Sequence, residues 1–360
     1  MVCQIKSLSL DIETYSDHEL GKCGVYKYTD SLHFQILLFG YSIDGGDAKA
    51  IDRANGETVP AEIKDALLND EITKWAHNAQ FERICLSKWL GLPAGMYLDP
   101  KPWRCTMVWS AYLGLPLSLA GIGAILGLDR RKIEGGKDLI RYFCGPCKPT
   151  KANGGRTRNL PSNDPDKWAE FKAYNIRDVE VELAIQKRLE KFPVLDQEWQ
   201  NYILDQEIND QGILLDMNLV RQAISLDGRA RVELMEAMQG LTNLENPNSV
   251  AQLKTWLAKQ GFQADSLDKV AIIELMPVVP ETAKRVLEIR QSLAKASVRK
   301  YTAMENVVCS DGRARGLIQF HGANRTGRYS GRLIQVQNLP RNNLPDLKEA
   351  RALVKAAAMK

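Results

Sequence analysis

The feature of this sequence that most constrains its fold is a change of pattern near Glu198. Before this point, short β-prone segments such as Ser7–Ile12 and Phe34–Ile43 alternate with helical patterns such as Lys167–Glu190. After it, amphipathic helical patterns follow one another with short breaks. Because alternating strands and helices pack as a sheet between helices, the sequence predicts an α/β domain followed by a helical region.

The remaining elements and boundaries are predicted from the same patterns. A third short strand is expected to end near Trp75–Ala76. Helices are also expected over Gln80–Leu90, Leu117–Leu126, Trp199–Asn209, Met217–Gln239, Ser249–Lys259 and Glu281–Asn306, with a loop over Cys144–Pro161, a strand over Arg315–Phe320 and a helical tail over Leu344–Met359. Breaks near Pro193 and Ser310 predict three segments, over residues 1–195, 196–310 and 311–360.

Composition narrows the class of protein. The chain has 360 residues, enough for two or three domains, and its net charge of +4 neither demands nor excludes a nucleic-acid partner. No apolar run approaches the roughly 20 residues of a membrane span, and the N-terminus lacks a secretory pattern. The cysteines number seven, an odd count that indicates free thiols in a reducing cytoplasm.

Two carboxylates lie close together in the first predicted strand. Asp11 and Glu13 are two residues apart, so their side chains point to the same face of that strand. The pair could bind one metal ion, but it could also be two solvated acids at the end of a strand. Because acids at this spacing are common, the pair alone does not decide between these possibilities.

Two further motifs place acids on helices. Tyr174 and Asp178 are four residues apart in a helical pattern, which puts them on one face. Asn78 and Glu82 lie where a strand gives way to a helix, so Asn78 could cap that helix and Glu82 would project from its first turn. Alone, these motifs are also typical of a half-buried tyrosine above a solvated acid, and of an acid near a helix N-terminus.

Together, the three motifs supply four carboxylates and a tyrosine. Hard oxygen ligands suit Mg²⁺ or Mn²⁺, and no cluster of His or Cys suggests zinc. Four carboxylates can hold two such ions roughly 3.5–4 Å apart, the spacing used for in-line phosphoryl displacement. One ion would activate a water that Tyr174 orients, and the other would stabilise the leaving 3′ oxygen. The predicted ligands are Asp11, Glu13, Glu82 and Asp178.

The three motifs also carry a resemblance to a known family. The segments LSLDIET, AHNAQFE and YNIRD resemble the exonuclease motifs of the DEDD superfamily, in the subgroup with tyrosine in the third motif. This implies an RNase H-like α/β fold, a mixed sheet flanked by helices, and 3′→5′ exonuclease activity that uses two divalent metal ions. By resemblance, Asp11, Glu13 and Asp178 match the metal ligands, and Tyr174 matches the residue that orients the water.

The second motif departs from this family at one position. Glu82 occupies a place where the usual residue is aspartate, and its side chain is one methylene longer. The resemblance also assigns Thr14, Asn78 and Phe81 to the binding of the 3′-terminal nucleotides of single-stranded DNA. For Phe81, burial in the helix core is an equally good interpretation.

The second half resembles the thumb and the start of the palm of family A DNA polymerases, in their phage branch. The segment Ile208–Asp216 is similar to the link from exonuclease to thumb, while RTGRYS and QVQNLP are similar to the start of the palm. There, Arg325, Arg328 and Arg332 would contact the phosphates and minor groove of a primer-template duplex, and Gln335, Gln337 and Asn338 would supply neutral hydrogen-bonding groups. A solvated Arg-rich loop is the alternative.

These resemblances predict the proofreading 3′→5′ exonuclease part of a DNA polymerase that acts in replication. After Pro340 the only acids are Asp346 and Glu349, in the helical tail, so we expect a truncated palm that cannot extend a primer. One alternative is an RNase D-like exoribonuclease, against which the Arg-rich stretch argues. Another is a catalytically weak remnant that only binds DNA.

A cysteine pair and a basic loop lie between these motifs. Cys144 and Cys147 have the spacing of a redox motif, but loop residues follow them where a helix is needed, so we predict neither redox activity nor zinc binding. The basic residues of this loop are more plausible contacts for DNA phosphates, although a solvated loop is equally compatible. They are Lys148, Lys151, Arg156 and Arg158.

Overall fold

The computed structural model describes residues 5–128, 135–294, 298–323, 325–339 and 343–356. The strands are β1 Ser7–Tyr15, β2 Gln35–Ile43, β3 Lys49–Asp52, β4 Thr73–Ala76, β5 Trp103–Cys105, β6 Ile213–Leu214, β7 Arg313–Ala314, β8 Ile318–Ala323 and β9 Arg328–Gly331. The helices are α1 Leu20–Thr29, α2 Ala61–Leu68, α3 Ala79–Trp89, α4 Thr106–Tyr112, α5 Leu119–Ile125, α6 Gly136–Phe143, α7 Pro165–Leu189, α8 Asp196–Gln211, α9 Met217–Thr242, α10 Val250–Lys259, α11 Lys269–Leu275, α12 Glu281–Leu293, α13 Arg299–Val307 and α14 Leu347–Ala356.

The first half forms a mixed sheet in the order β3-β2-β1-β4-β5. Strand β1 pairs antiparallel with β2 and parallel with β4, so it lies in the middle of the sheet. The parallel pairing of β4 with β5 completes one side, and the antiparallel β3 forms the opposite edge. The predicted α/β class, with a mixed sheet flanked by helices, is confirmed.

Strand β1 has an apolar face and a polar face. Leu8, Leu10 and Ile12 alternate along it and are buried in the main hydrophobic core. The intervening residues face α7, where Gln186 Nε2 donates to Ser9 Oγ at 3.0 Å and an amide of the same helix reaches Asp11. Alternation along this central strand therefore places polar groups between the sheet and its longest flanking helix.

The first compact unit comprises Met1–Leu215 together with Asn306–Asn338. It does not follow the predicted bounds at residues 195 and 310, because neighbouring segments complete its core. Trp199 and Tyr202 of α8 join the hydrophobic cluster of the sheet, and so does Phe320 of β8. The short strand β6 also pairs antiparallel with β7.

The second compact unit comprises Asp216–Glu305 and Leu339–Lys360. Its core is apolar and includes Trp256, Leu257 and Leu287. The single helix predicted over Glu281–Asn306 is wrong, because α12 ends at Leu293, where the N–H of Ala294 bonds back to the carbonyls of Arg290 and Ser292. Helix α13 begins at Arg299, and residues 295–297 lie outside the described part of the chain.

The strand predicted over Arg315–Phe320 begins later than expected, because β8 starts only at Ile318. Gly316 separates β7 from β8 with a left-handed φ of +66°, and a Cβ atom there would lie 3.1 Å from the ring of Tyr26. Only glycine combines this backbone angle with so close an approach. Across the described residues, no helix is both long enough and apolar enough to cross a membrane.

Candidate active site

One cleft of about 720 Å³ collects the residues of all three acidic motifs. Its walls include the predicted catalytic side chains and those predicted to hold the 3′-terminal nucleotides: Asp11, Glu13, Thr14, Asn78, Phe81, Glu82, Tyr174 and Asp178. They come from three elements that are far apart in sequence. The structure therefore brings the residues predicted for catalysis and those predicted to hold the 3′-terminal nucleotides into one cleft.

Each motif reaches the cleft through its own secondary structure. Glu13 is largely buried on the polar face of β1, where the register with β2 shifts directly after it. Glu82 lies in the first turn of α3 and is 4% exposed. Tyr174 and Asp178 are one turn apart on α7 and are 1% and 4% exposed, so the alternative of a solvated acid beside a half-buried tyrosine is wrong.

The cleft concentrates negative charge in a buried place. Burial raises the pKa of Glu82 well above its ordinary value, and the negative charge of Asp11 raises it further. Burial also raises the pKa of the Tyr174 phenol, with additional contributions from Asp178 and Glu13. Carboxylates that repel one another in a desolvated site are stabilised by a cation placed among them.

A fifth carboxylate, which the sequence reasoning missed, lies beside this group. Glu182 is 2% exposed, and burial together with the charge of Asp11 raises its pKa well above the ordinary value. It follows Asp178 by four residues on α7, and Gln186 follows at the same interval. This repeat of polar residues on one helical face was the signal that could have revealed Glu182.

The polar atoms of the cleft fit a divalent cation in their chemistry. Glu82 Oε2 and Glu182 Oε2 are buried, and neither has a hydrogen-bond partner within the described residues. Such oxygen atoms are hard ligands of the kind that Mg²⁺ and Mn²⁺ prefer. In the same described ranges, however, no group of three or more His, Cys, Asp or Glu side chains has a geometry that could hold a metal ion. The ligand set therefore stays a prediction.

The predicted nucleotide-binding residues differ in how they are held. Thr14 is buried, and its hydroxyl lies 2.9 Å from the hydroxyl of Tyr28. Phe81 is half-buried, with its ring centroid 6.2 Å from that of Tyr28, so it is shared between core and cleft. Asn78 occupies the N-cap position of α3, but its side chain makes no capping hydrogen bond because its backbone is left-handed, with φ +74°. The prediction that the Asn78 side chain caps α3 is therefore wrong.

Helix α6 forms a wall that the sequence did not predict. Ile140 and Arg141 line the same cleft as the carboxylates. Gly136 begins this helix against the ring of Tyr174, which a Cβ atom would overlap. A glycine at this position thus allows α6 to close over the tyrosine. The apolar and cationic side chains of α6 suit the base, sugar and phosphate of a bound nucleotide.

The two cysteines of the predicted loop have different surroundings. Cys144 ends α6, and its Sγ lies 3.8 Å from Glu13 Oε2. Cys147 contacts loop residues, with Sγ 3.4 Å from the carbonyl oxygen of Arg156. All six cysteines that the structure describes are free thiols.

Of the four basic residues predicted to contact phosphates, two are engaged within the protein. Arg158 stacks 3.6 Å from the ring centroid of Tyr15, and Arg156 Nε donates to Asn159 Oδ1 at 2.7 Å. Lys148 and Lys151 are exposed in the loop. The loop thus stacks against the domain through Arg158, because a guanidinium packs on an aromatic ring more readily than an ammonium does.

The Arg-rich stretch does not line the acidic cleft. Within the described residues, the arginines predicted to bind a duplex are exposed and form no ion pair with an acid: Arg325, Arg328 and Arg332. The predicted neutral partners Gln335 and Gln337 are also exposed. Cationic side chains held in solvent without acidic partners are available to a polyanion.

Comparison with known proteins gives a consistent result. The chain is 51% identical over 352 residues to a DNA polymerase of Bacillus phage SP02, and this alignment covers 98% of the chain and 54% of the phage protein. The chain therefore spans about half the length of the curated relative that it matches. No protein-family model matches the chain.

One solved structure agrees with this fold over most of the chain. The POL domain of Pol1 from M. smegmatis, determined in complex with DNA primer-template and dNTP, matches with a TM-score of 0.54 and 16% identity. That match covers 93% of this chain and 52% of the other. NrnC of Brucella melitensis gives a TM-score of 0.34 and 16% identity, over 56% of this chain and 82% of the other.

Proposed function

We propose that this chain is part of a DNA polymerase of the phage branch of family A, and that it removes nucleotides from the 3′ end of DNA. The relationship itself rests on the identity with the phage polymerase and on the shared fold. One observation carries the proposal of activity, namely the convergence of the three acidic motifs with Tyr174 in a single cleft. Proofreading during DNA replication is the role that such an activity would serve.

The carboxylates of the cleft would hold two divalent metal ions. Asp11, Glu13, Glu82 and Asp178 are the residues that would hold them, and bound ions would supply an activated water and a stabilised leaving oxygen. The chain itself contributes orientation. The Tyr174 phenol keeps its proton at neutral pH, as an ordinary tyrosine does, and burial raises its pKa further, so it can donate a hydrogen bond to the attacking water.

The cleft also holds groups that suit the end of a single strand. Phe81 and Ile140 offer apolar surface to a base or sugar, and Arg141 offers a positive charge to a phosphate. A base-paired end is broader than a single strand, so we expect digestion of single-stranded DNA to exceed that of a blunt duplex.

A direct assay tests this proposal. A 5′-labelled single-stranded oligodeoxynucleotide incubated with the protein and Mg²⁺ should give a ladder of products shortened from the 3′ end. Removal of the metal with EDTA should stop the ladder, and added Mn²⁺ should restore it, because the carboxylates need a divalent cation to act. Failure to shorten DNA under these conditions would contradict the proposal. Faster shortening of RNA of the same sequence would favour the exoribonuclease alternative instead.

We also propose that the exposed arginines bind primer-template duplex. Replacement of Arg325 and Arg328 together with alanine should weaken duplex binding and reduce its salt dependence by about 0.9 in the slope of log K against log[salt] for each lost phosphate contact. Fluorescence anisotropy with a labelled duplex over a range of salt concentrations measures both quantities. Lys49→Ala, which removes an exposed charge on the edge strand β3, is the matched control and should change neither. An unchanged slope in the double variant would show that these arginines form only a solvated loop.

A further inference from the structure

Asn175 makes a hydrogen-bonded clamp on the first acidic motif. Its side chain is completely buried next to Tyr174 on α7. Its Nδ2 donates to the backbone oxygen of Asp11 at 3.0 Å and to Asp11 Oδ2 at 2.7 Å. A rotated amide would place Oδ1 against two acceptors, so the chemistry of the contact fixes its orientation.

Gly40 provides the space for this clamp. It is the residue of β2 that pairs with Asp11 in the antiparallel register. A Cβ atom on Gly40 would lie 2.7 Å from Asn175 Oδ1 and 3.0 Å from its Cγ. The backbone of Gly40 does not require glycine through a positive φ, so the requirement is one of space alone. Absence of a side chain on β2 therefore lets the amide of α7 reach across to β1.

The clamp acts on both the backbone and the side chain of Asp11. One hydrogen bond ties the strand at residue 11 to α7, while the other holds one carboxylate oxygen and so fixes the rotation of the side chain. The remaining oxygen is then directed independently of any bound ion. Side chains that hold a metal ligand in this way raise metal affinity because the ligand is ordered before the ion binds.

From these contacts we propose that Asn175, seated over Gly40, positions Asp11 to bind a divalent metal ion. The inference rests on the proposed function, because it takes Asp11 to be a metal ligand. It assigns Asn175 a positioning role, since its amide touches Asp11 and not the reacting atoms. It also explains why two residues that are 164 positions apart in sequence meet at the strand that carries the acid pair.

The test uses the full chain and Mn²⁺ alone as the probe. Loss of the free Mn²⁺ signal in electron paramagnetic resonance measures binding without DNA or turnover. Asn175→Ala should weaken Mn²⁺ binding by roughly ten- to a hundredfold, the usual effect of removing a residue that supports a ligand. Gly40→Ala should weaken it in the same direction, because the added methyl group displaces the amide. The Mn²⁺ concentration for half-maximal digestion of single-stranded DNA should rise in parallel.

The chain offers a closely matched control in Asn209. This residue is also buried, and its Nδ2 donates to Asp205 Oδ2 at 3.2 Å and to the carbonyl oxygen of Ile318 at 3.0 Å. Asn209→Ala thus removes the same kind of contact elsewhere in the same unit. It should lower the midpoint of urea unfolding as Asn175→Ala does, but it should leave Mn²⁺ affinity unchanged.

The outcomes separate this inference from the proposed function. Unchanged Mn²⁺ affinity in Asn175→Ala, or equal weakening in Asn209→Ala, would overturn the inference. If Asn175→Ala does not fold, Gly40→Ala decides the matter through the same titration. A wild-type protein that binds Mn²⁺ but does not digest DNA would refute the proposed function. The positioning role of Asn175 would then still be decided by the Mn²⁺ affinities of the variants. A wild-type protein that binds no Mn²⁺ would refute both.

Discussion

Asp178→Asn is expected to slow the digestion of single-stranded DNA by about a thousandfold or more while leaving the protein folded. Asp178 lines the acidic cleft from α7 and is 4% exposed. The amide has nearly the same shape as the carboxylate, but it lacks the negative charge that a divalent cation needs. Loss of one metal ligand removes several kcal/mol of transition-state stabilisation, and about 1.4 kcal/mol corresponds to each factor of ten in rate. Single-turnover digestion of a 5′-labelled oligonucleotide measures the effect.

A stability measurement distinguishes a lost ligand from a damaged fold. The cleft holds several buried carboxylates, so removal of one charge relieves repulsion in metal-free buffer. We therefore expect the urea midpoint of Asp178→Asn to equal or exceed that of the wild type. Asp166→Asn, at an exposed position in the first turn of the same helix, should change the rate by less than about twofold. A rate for Asp178→Asn within about tenfold of the wild type would be too high for a lost metal ligand.

The sequence predicted the acidic cleft better than its walls. A spacing of two residues in a strand is sufficient to put Asp11 and Glu13 on one face. A spacing of four in a helix does the same for Tyr174 and Asp178. In the structure, both pairs line the same cleft. Local spacing carries no information about partners from distant elements. The contact of Asn175 with Asp11 depends on the register between β1 and β2 and on a missing side chain at Gly40.

The fold shows the same division between local and tertiary information. Strong periodicity predicted α7 to within a few residues, because a long helix repeats its pattern many times. The single helix expected through Leu293 failed because periodicity does not show where a chain turns between two amphipathic segments. The change of pattern near Pro193 does not indicate that Trp199 and Tyr202 contribute to the core of the sheet, since that contribution is a tertiary contact.

The second large effect concerns a buried ion pair directly beside the acidic cleft. Arg83 follows Glu82 on α3, and its side chain is 1% exposed. Its Nη1 and Nη2 donate to the two carboxylate oxygens of Asp210 at 2.8 and 2.7 Å. Burial opposes the charge on Arg83, but Asp210 keeps the pKa of the guanidinium above its ordinary value. Tyr26 donates its hydroxyl to the same carboxylate at 2.6 Å.

Asp210→Ala should therefore destabilise the first compact unit by about 3–5 kcal/mol, because it leaves a buried guanidinium without a counter-charge. Urea unfolding followed by tryptophan fluorescence reports on this unit, since every tryptophan except Trp256 precedes residue 216. Asp138→Ala provides the control. This substitution breaks the ion pair between Asp138 and Arg141, whose side chains are 81% and 83% exposed. It should lower the free energy of unfolding by less than about 1 kcal/mol.

A second substitution shows whether the unpaired charge is the cause. Arg83→Met in the Asp210→Ala background removes the buried charge and keeps an apolar side chain of similar length, so it should recover part of the lost stability. If the double variant is no more stable than Asp210→Ala, the loss arises instead from the lost packing and from the hydroxyl of Tyr26. Since Arg83 directly follows Glu82, Asp210→Ala should also lower the digestion rate. Arg83→Met in that background should not restore the rate, because neither member of the ion pair then remains to tie α3 to α8. Recovery of stability without recovery of rate would show that the ion pair both supports the fold and holds Glu82 in place.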